Sequence, residues 1–160
     1  MQTRGLDLLE KQQVKEIERI IEKNYGTKID LMEFSVFKTS NDEKIWIASK
    51  QIFGVDLRKL VVNSIGLYLG KLKRNEKISL STEGSQLIGK TATKNVVYLD
   101  KEGGHKFLQG MNVKPEKTVN VESHNFVILR TQQEILGSSL FTEEEIKNLL
   151  PKSRRVIQSY

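Results

Sequence analysis

Apolar residues in the first part of the chain recur every three or four positions, with Lys, Glu and Arg between them. The residues that follow this spacing are Val14, Ile17, Ile20, Ile21 and Tyr25. The period is that of one face of an α-helix, and a following glycine is a common terminator. The pattern therefore predicts an amphipathic helix from Asp7 to Tyr25, ended by Gly26, whose apolar stripe packs in the core of its own domain.

Shorter apolar segments follow, rich in β-branched and aromatic residues, and their length and alternation are typical of β-strands. The predicted strands before position 90 are residues 31–37, 44–48, 65–72 and 77–80, and residues 57–62 form a further short apolar segment. The polar turn 40–43 indicates a hairpin between the first two strands, and Gly66 and Gly70 indicate a bulge or a close backbone approach. Residues 82–88 predict one or two helical turns, which lead into a polar connector over 89–95.

Strand signals dominate the second half of the chain as well. The predicted strands there are residues 96–99, 119–121, 126–129 and 135–137. A turn at 102–104 precedes a short helix near 105–108, and Thr142, followed by three glutamates, predicts the start of a final helix that Pro151 ends. Strands roughly every ten residues, with very short helices between them, favour a small β-barrel.

The length and composition narrow the class of protein. A chain of 160 residues fits two small domains, and the polar connector divides it into residues 1–92 and 93–160. The absence of cysteine from the sequence excludes a disulfide framework. The sequence has neither the long apolar run of a membrane span nor that of a signal peptide. We therefore expect a soluble cytoplasmic protein, nuclear or nucleolar in a eukaryote, without a membrane partner.

One string matches a nucleotide-binding motif. Residues 84–91 fit the phosphate-loop pattern GxxxxGK[ST], and the apolar residues 96–99 followed by Asp100 resemble a strand that ends in a magnesium-binding acid. That fold needs a helix and a parallel crossover of a dozen or more residues between the two motifs. Because only four residues separate Thr91 from Val96, a structural helix and turn is the favoured interpretation, and a nucleotide-binding enzyme stays a rival.

Other catalytic patterns are weak. The two histidines, His105 and His124, lie nineteen positions apart, without the spacing of a metal site. The sequence contains no GxSxG nucleophile motif, and three consecutive glutamates at 143–145 cannot converge on one substrate from a helix. The residues therefore predict no catalytic group, no metal, no cofactor and no small-molecule substrate.

Positive charge is concentrated in two places. The net charge of +6 is moderate and does not decide function by itself. Lys71, Lys73 and Lys77 occupy odd positions in neighbouring predicted strands, close to Tyr68, and such a mixture of cations and aromatic rings suits single-stranded RNA. The other place is the basic run Lys152, Arg154 and Arg155, whose guanidinium groups can bind phosphates and stack on bases.

Several strings, in this order and spacing, resemble one known family. They are Ser64–Lys73, Lys77–Leu80, Val96–Leu99, Lys106–Val113, Phe126–Leu129 and Ile135–Gly137. The sequence resembles the 60S ribosome biogenesis proteins of the Nip-seven type, in an archaeal-like form. These proteins join a pre-PUA domain to a PUA domain, the module named after pseudouridine synthases and archaeosine transglycosylases.

The resemblance implies an α+β protein, with an N-terminal α/β pre-PUA domain and a C-terminal PUA-type β pseudobarrel. It implies RNA binding without catalysis, through basic residues near the C-terminus that match Lys152, Arg154 and Arg155. The glycine-rich region that PUA modules use to approach RNA matches Lys106 with Gly103, Gly104 and Gly110. We expect Lys71 and Lys73 to extend this RNA track.

The implied partners are single-stranded, uridine-rich segments of precursor ribosomal RNA, with pre-ribosome assembly factors or the exosome as protein partners. Two alternatives remain beside the nucleotide-binding enzyme. The protein is an adaptor that docks another assembly factor, or it is a PUA-type targeting partner of an RNA-modification enzyme that acts in trans.

Overall fold

The computed structural model describes residues 2, 3, 5–50 and 66–157. The helices in these ranges are α1 (Lys11–Tyr25), α2 (Thr82–Ile88) and α3 (Lys101–Leu108). The strands are β1 (Gln2–Thr3), β2 (Leu6–Leu8), β3 (Phe34–Thr39), β4 (Lys44–Ser49), β5 (Leu67–Lys73), β6 (Lys77–Leu80), β7 (Val96–Tyr98), β8 (Lys117–Val119), β9 (Asn125–Arg130), β10 (Ile135–Phe141) and β11 (Ile146–Lys147). Short 3-10 turns occupy Leu31–Glu33 and Lys152–Arg154.

The N-terminal sheet is antiparallel and has the order β1-β2-β3-β4-β5-β6, so each strand pairs with its neighbours in sequence. Helix α1 covers one face with the predicted apolar stripe, which is buried against Val36, Ile45 and Ile78. The Tyr25 hydroxyl donates a hydrogen bond to the Ile78 carbonyl at 2.8 Å. Burial of this stripe is the main stabilising contribution of this layer.

Helix α1 ends where the sequence predicts, because Gly26 adopts the left-handed conformation with φ 64°. The predicted start at Asp7 is wrong. Residues 6–8 form β2, in which Asp7 pairs with Lys38 of β3, and the helix begins only after a capping box between Glu10 and Gln13. Strand pairing therefore competes successfully with helix extension at the N-terminus.

The C-terminal sheet is a half-barrel of order β11-β10-β9-β7-β8, in which only the β7–β9 pair is parallel among the described strands. Helix α3 packs on its inner face through Phe107, which is fully buried. The other buried apolar residues of this core are Val97, Leu99, Val113, Val127, Leu129, Leu136, Ile146 and Leu150. The molecule is thus an α+β protein whose C-terminal part is a β half-barrel, as predicted.

The predicted final helix after Thr142 is wrong. The Thr142 amide and hydroxyl both donate to the Glu145 carbonyl at 2.9 Å, which closes a turn between β10 and β11. Ile146 then pairs with Phe141 and bridges to Val113 inside the barrel. Burial of this isoleucine on a strand outweighs the helix-start signal of the threonine and the acids.

The predicted turn at 102–104 is also wrong, because these residues belong to α3. The Asp100 carboxylate accepts a hydrogen bond from the Gly103 amide at 2.6 Å and caps the helix. The predicted bounds of β6 and α2 are correct, and the hairpin of β3 and β4 is confirmed. The short apolar segment over 57–62 lies outside the described residues.

The junction between the two sheets is packed and hydrogen-bonded. Ile88 of α2 and Ile128 of β9 belong to the same buried cluster as α1. Three buried asparagines link the parts, since the Asn95 side chain donates to the Asn24 carbonyl at 2.7 Å and the Asn125 side chain approaches Asn24 Oδ1 at 3.5 Å. The division into residues 1–92 and 93–160 stays a prediction.

The phosphate-loop string folds as a structural element. Gly84 lies inside α2 with its amide bonded to the Ser81 hydroxyl, and a Cβ at this position would lie 2.0 Å from the Leu69 carbonyl oxygen. Thr91 donates its amide to the Ile88 carbonyl. The amides of Gly84, Ser85, Gly89 and Thr91 are thus bonded within the fold, and this geometry differs from a loop that wraps a phosphate.

Candidate nucleic-acid interface

The basic residues near the C-terminus lie on a short 3-10 turn that Pro151 begins. Lys152 and Arg154 are exposed, and the Arg154 guanidinium donates to the Glu83 carboxylate at the start of α2. This ion pair orients one guanidinium, which keeps about half of its side-chain surface open to solvent. An exposed ion pair of this kind contributes little to stability and can exchange its acid for a phosphate.

Arg155 is held more firmly. Its Nε donates to the Leu150 carbonyl at 3.1 Å, and the side chain lies on Gly110, where a Cβ would come within 2.6 Å of Arg155 Cδ and Nε. Gly110 also has φ 91°, which a residue with a side chain rarely adopts. The next residue, Val156, donates its amide to the Leu108 carbonyl at 2.8 Å. The basic turn is therefore fixed to the end of α3.

Lys106 lies on the exposed side of α3 and pairs with Glu102 at 3.2 Å, one helical turn away. It lines an open groove of about 370 Å³ together with Asn112, Lys114 and Glu145. Gly104 lies on the buried side of the same helix, and a Cβ there would lie 3.0 Å from Thr131 Cγ2. Gly104 thus lets α3 pack closely, whereas Lys106 presents charge to solvent.

Lys71 and Lys73 lie on a different surface, the face of the N-terminal sheet that points away from α1. Lys71 is directly opposite Lys44 of β4, and Lys73 is directly opposite Lys77 of β6. Residues opposite each other in an antiparallel pair share a face, as do residues two apart in one strand. These four side chains, Lys44, Lys71, Lys73 and Lys77, form what we call the lysine face.

A β-bulge adds an aromatic ring to the lysine face. Tyr68 and Lys71 are three apart, so they would point to opposite faces of a regular strand. The register between β4 and β5 shifts by one residue, so that Tyr68 lies opposite Trp46 while Gly70 lies opposite Ile45. Tyr68 therefore joins the lysines, with its ring 5.9 Å from Lys44 Nζ and 5.0 Å from the Trp46 ring.

The half-barrel contributes a second ring at the edge of this surface. The Nζ atom of Lys73 lies 5.9 Å from the centre of the Phe126 ring on β9. Lys77 donates to the His124 carbonyl at 3.0 Å. The lysine face thus ends against the C-terminal part of the molecule.

Three acids near these lysines are all engaged, and one of them, Glu122, lies near Lys77 and pairs with Lys94 at 2.5 Å. The Thr39 hydroxyl, Lys44 at 3.1 Å and the charge of Lys71 lower the pKa of Asp42. Glu76, in the β5–β6 turn, points to α1, where hydrogen bonds from Lys23 and Arg19 lower its pKa to about 2. Burial, followed by the charge of Asp42, raises the pKa of the Tyr68 hydroxyl.

A further cluster of cations around an aromatic ring was not predicted from the sequence. Tyr98 of β7 lies between Lys117 of β8 and Arg130 of β9, which are its direct neighbours in the sheet. The Lys117 ammonium is 5.6 Å and the Arg130 guanidinium 5.2 Å from the ring centre. These residues are far apart in sequence, so only the strand register could have brought them together.

Other kinds of site find little support in the ranges that the structure describes. There, His, Asp and Glu side chains form no group of three that could hold a metal ion. The helices among these residues include none that is both long and apolar enough to cross a membrane. The clusters described above combine cations with half-buried aromatic rings.

Comparison with known proteins gives the fold its name. No protein-family profile matches the sequence, and no curated protein matches it. Several solved structures match, and two examples cover nearly the whole chain. A conserved PUA domain protein from Thermoplasma acidophilum matches with a TM-score of 0.62 and 10% identity over 92% of this chain and 94% of its own. A PUA domain from Aeropyrum pernix, determined as a tartrate complex, matches with a TM-score of 0.57 and 9% identity over 91% of this chain and 84% of its own. The chain therefore has the fold of PUA domain proteins.

Proposed function

We propose that the protein is a non-enzymatic RNA-binding factor whose PUA-type half-barrel binds phosphates through Lys152, Arg154 and Arg155, with Lys106 beside them. The observation that carries the proposal is the fixed position of the basic turn, which Arg155 and Val156 attach to the end of α3. Cations held in place lose less conformational entropy on binding than cations on a free tail. PUA domains generally bind RNA, which agrees with this chemistry.

The resemblance in sequence suggests a finer role. We propose single-stranded precursor ribosomal RNA as the ligand, and ribosome biogenesis as the process, with the exosome or pre-ribosomal factors as partners. The Lys71 and Lys73 side chains serve this role as an extension of the RNA track onto the N-terminal sheet.

The proposal is tested by the salt dependence of RNA binding. Fluorescence anisotropy with a labelled uridine-rich 12-mer, repeated from 50 to 300 mM KCl, gives the slope of log affinity against log salt. Three to five phosphate contacts predict a slope of roughly −2 to −3.5, at about 0.7 per contact for a single strand. The double variant Lys152→Gln and Arg154→Gln should make the slope shallower by about 1.4.

A matched double variant, Lys15→Gln and Lys28→Gln, removes two exposed cations from α1 and from the loop after it. It should leave the slope within error of the wild type. Equal losses in both double variants would show that only total charge matters. Absence of wild-type binding at the lowest salt would overturn the proposed function.

A protein-interaction adaptor is the second candidate, because large apolar side chains are exposed around the same turn. Met111, Leu149, Val156 and Ile157 are 48%, 42%, 55% and 88% exposed. A group of exposed apolar side chains is more typical of a protein-binding surface than of a surface that contacts only water. A nuclease-treated pull-down that retains a stoichiometric partner, together with RNA binding that does not survive purification, would favour this candidate.

A further inference from the structure

The lysine face has an arrangement that works against the stability of the fold. Both of its cross-strand pairs, Lys44 with Lys71 and Lys73 with Lys77, place like charges directly opposite each other. Directly opposite side chains in an antiparallel sheet have Cβ atoms about 4.5–5.5 Å apart, and like charges at this distance destabilise the sheet. A sheet surface that serves only solubility would be more stable with opposite charges in these pairs.

The neighbouring acids leave this repulsion largely uncompensated. Glu76 is the sole acid between positions 67 and 81 of the sequence, and it turns to the other side of the sheet to bind Arg19 and Lys23. Asp42 reaches the lysine face and pairs with Lys44 at 3.1 Å. In the described part of the chain, Lys71 and Lys73 have no carboxylate within ion-pair distance. This leaves positive charge available to an external anion.

Aromatic rings border the same charges. Tyr68 lies at one end of the face beside Lys44, and Phe126 lies at the other beside Lys73. The bulge in β5 is what turns Tyr68 to this side. Gly70 permits the close backbone contact there, since a Cβ at this position would lie 2.6 Å from the Ser79 carbonyl oxygen. Rings beside phosphate-binding cations provide stacking surfaces for unpaired bases.

We infer that the lysine face is a second binding surface, for single-stranded RNA, on which lysines bind the phosphates while bases stack on Tyr68 and Phe126. The inference rests on the proposed function, because it assigns another segment of the same RNA. It gives the N-terminal sheet a direct part in binding, at the edge where Lys77 contacts the C-terminal half through the His124 carbonyl.

The chemistry favours a single strand over two other polyanions. An acidic protein segment would satisfy the lysines but would make no use of the two rings. A duplex presents its phosphates with the bases stacked inside, so it would also leave the rings unused. Charge and aromatic surface together are complementary to an unpaired strand.

A single charge reversal separates this inference from a purely structural role. Lys71→Glu places a carboxylate opposite Lys44 but also near Asp42, so the thermal unfolding midpoint should change little, while RNA affinity at 100 mM KCl should fall by about tenfold or more. Lys28→Glu makes the same change of charge on an exposed loop residue and should affect RNA affinity by less than about twofold. Anisotropy with the uridine 12-mer and differential scanning fluorimetry give the two readouts.

The aromatic part is tested with Phe126→Leu and Tyr68→Leu, measured against single-stranded and duplex RNA of equal length. Loss of one stacking ring should lower single-strand affinity by about tenfold and duplex affinity by less than about twofold. Tyr68→Leu removes the ring contact with Trp46 and could prevent folding. Phe126→Leu replaces one apolar side chain by another, so it remains informative in that case.

The outcomes distinguish the two proposals. If Lys71→Glu leaves RNA affinity unchanged while Lys152→Gln with Arg154→Gln weakens it, the lysine face is not an RNA surface. The extension of the RNA track over Lys71 and Lys73 then fails with it, and RNA binding by the half-barrel stands. If the wild type binds a poly-glutamate peptide at this face in preference to RNA, the surface docks an acidic protein and the inference is overturned. If the wild type binds no RNA, the proposed function fails first.

Discussion

The two sides of the β5–β6 hairpin carry the same kinds of side chain with opposite results. On the side of α1, Arg19 and Lys23 share the Glu76 carboxylate, and Arg19 also binds Glu16 at 2.6 Å. On the other side, Lys71 and Lys73 face lysines. The first arrangement supports the fold, whereas the second costs stability and leaves charge available. The difference teaches that the partners of a cation, rather than the number of cations, indicate whether it serves the structure or a ligand.

The largest expected effect is on the free energy of unfolding, and it comes from a buried polar contact on the α1 side of the hairpin, next to Glu76. Asn24 donates to the carbonyls of Ile20 and Glu76, both at 2.8 Å, and is 5% exposed. Asn24→Leu should lower the free energy of unfolding by about 1–3 kcal/mol, because the Glu76 carbonyl loses its Asn24 donor and the Asn125 amide loses its contact with Asn24 Oδ1. Chemical denaturation measures the change.

RNA affinity of the folded Asn24→Leu protein should stay within about twofold of the wild type, since both basic surfaces remain intact. The exposed Gln86→Leu on α2 is the control and should leave the unfolding midpoint nearly unchanged. A loss of RNA affinity that exceeds the loss of folded protein would show that the two sides of the hairpin are coupled.

An intermediate effect is expected from Glu76→Gln, which should lower the thermal unfolding midpoint at pH 7 without weakening RNA binding. The folded-state pKa of Glu76 is lowered from 4.5 to about 2 by Lys23 and Arg19. A lowered pKa stabilises the folded state above the unfolded-state value, and this stabilisation is lost as pH falls. The difference in midpoint between wild type and variant should therefore shrink between pH 4.5 and pH 2.

Thermal unfolding followed by circular dichroism from pH 2 to pH 7 measures that difference. Glu18→Gln, on α1, serves as the control for loss of one negative charge. A midpoint difference that does not change with pH would contradict the role of Glu76 as an ionised partner of Lys23 and Arg19.

The smallest expected effect is on RNA affinity, and it comes from a substitution beside the lysine face. Asp42→Asn removes the acid that pairs with Lys44 and lies near Lys71. Single-stranded RNA should bind a few-fold more tightly and with a steeper dependence on salt, because one internal competitor for the lysines is gone. Anisotropy titrations at 50 and 200 mM KCl measure both changes.

The Thr39 hydroxyl donates to the Asp42 side chain, and the asparagine amide preserves an oxygen for this contact. The same substitution therefore tests charge with little change in shape. Weaker RNA binding by Asp42→Asn would indicate that Asp42 orders Lys44 for the ligand instead of competing with it.

Much of the fold could be predicted from local patterns. The stripe of α1, its end at Gly26 and the bounds of β6 and α2 depend on neighbouring residues, so the sequence is sufficient for them. The failures lie where distant contacts win. Leu6 is buried in a cluster with Phe37, and Ile146 pairs with Phe141 and Val113, and neither contact is visible in local periodicity.

The surfaces show the same division. The odd spacing of Lys71, Lys73 and Lys77 was enough to place them on one face, as the register of β5 and β6 shows. Lys44 could not be added to them without the pairing of β4 with β5, and Phe126 comes from the other sheet. The RNA contacts of the C-terminal turn and of Lys71 and Lys73 stay predictions.

The one-residue offset in β5 has a consequence for finding related proteins. Because of the bulge, β5 has one residue more than β4 over the paired stretch. A related protein without the bulge would therefore need one residue fewer between the tyrosine and the lysine to keep both on the same face. A sequence alignment without gaps inside strands would then align Tyr68 with a residue that points to the opposite face of the sheet. Searches for this surface in other genomes should therefore allow a single deletion beside Leu69, and should compare side-chain parity along the strand instead of residue identity.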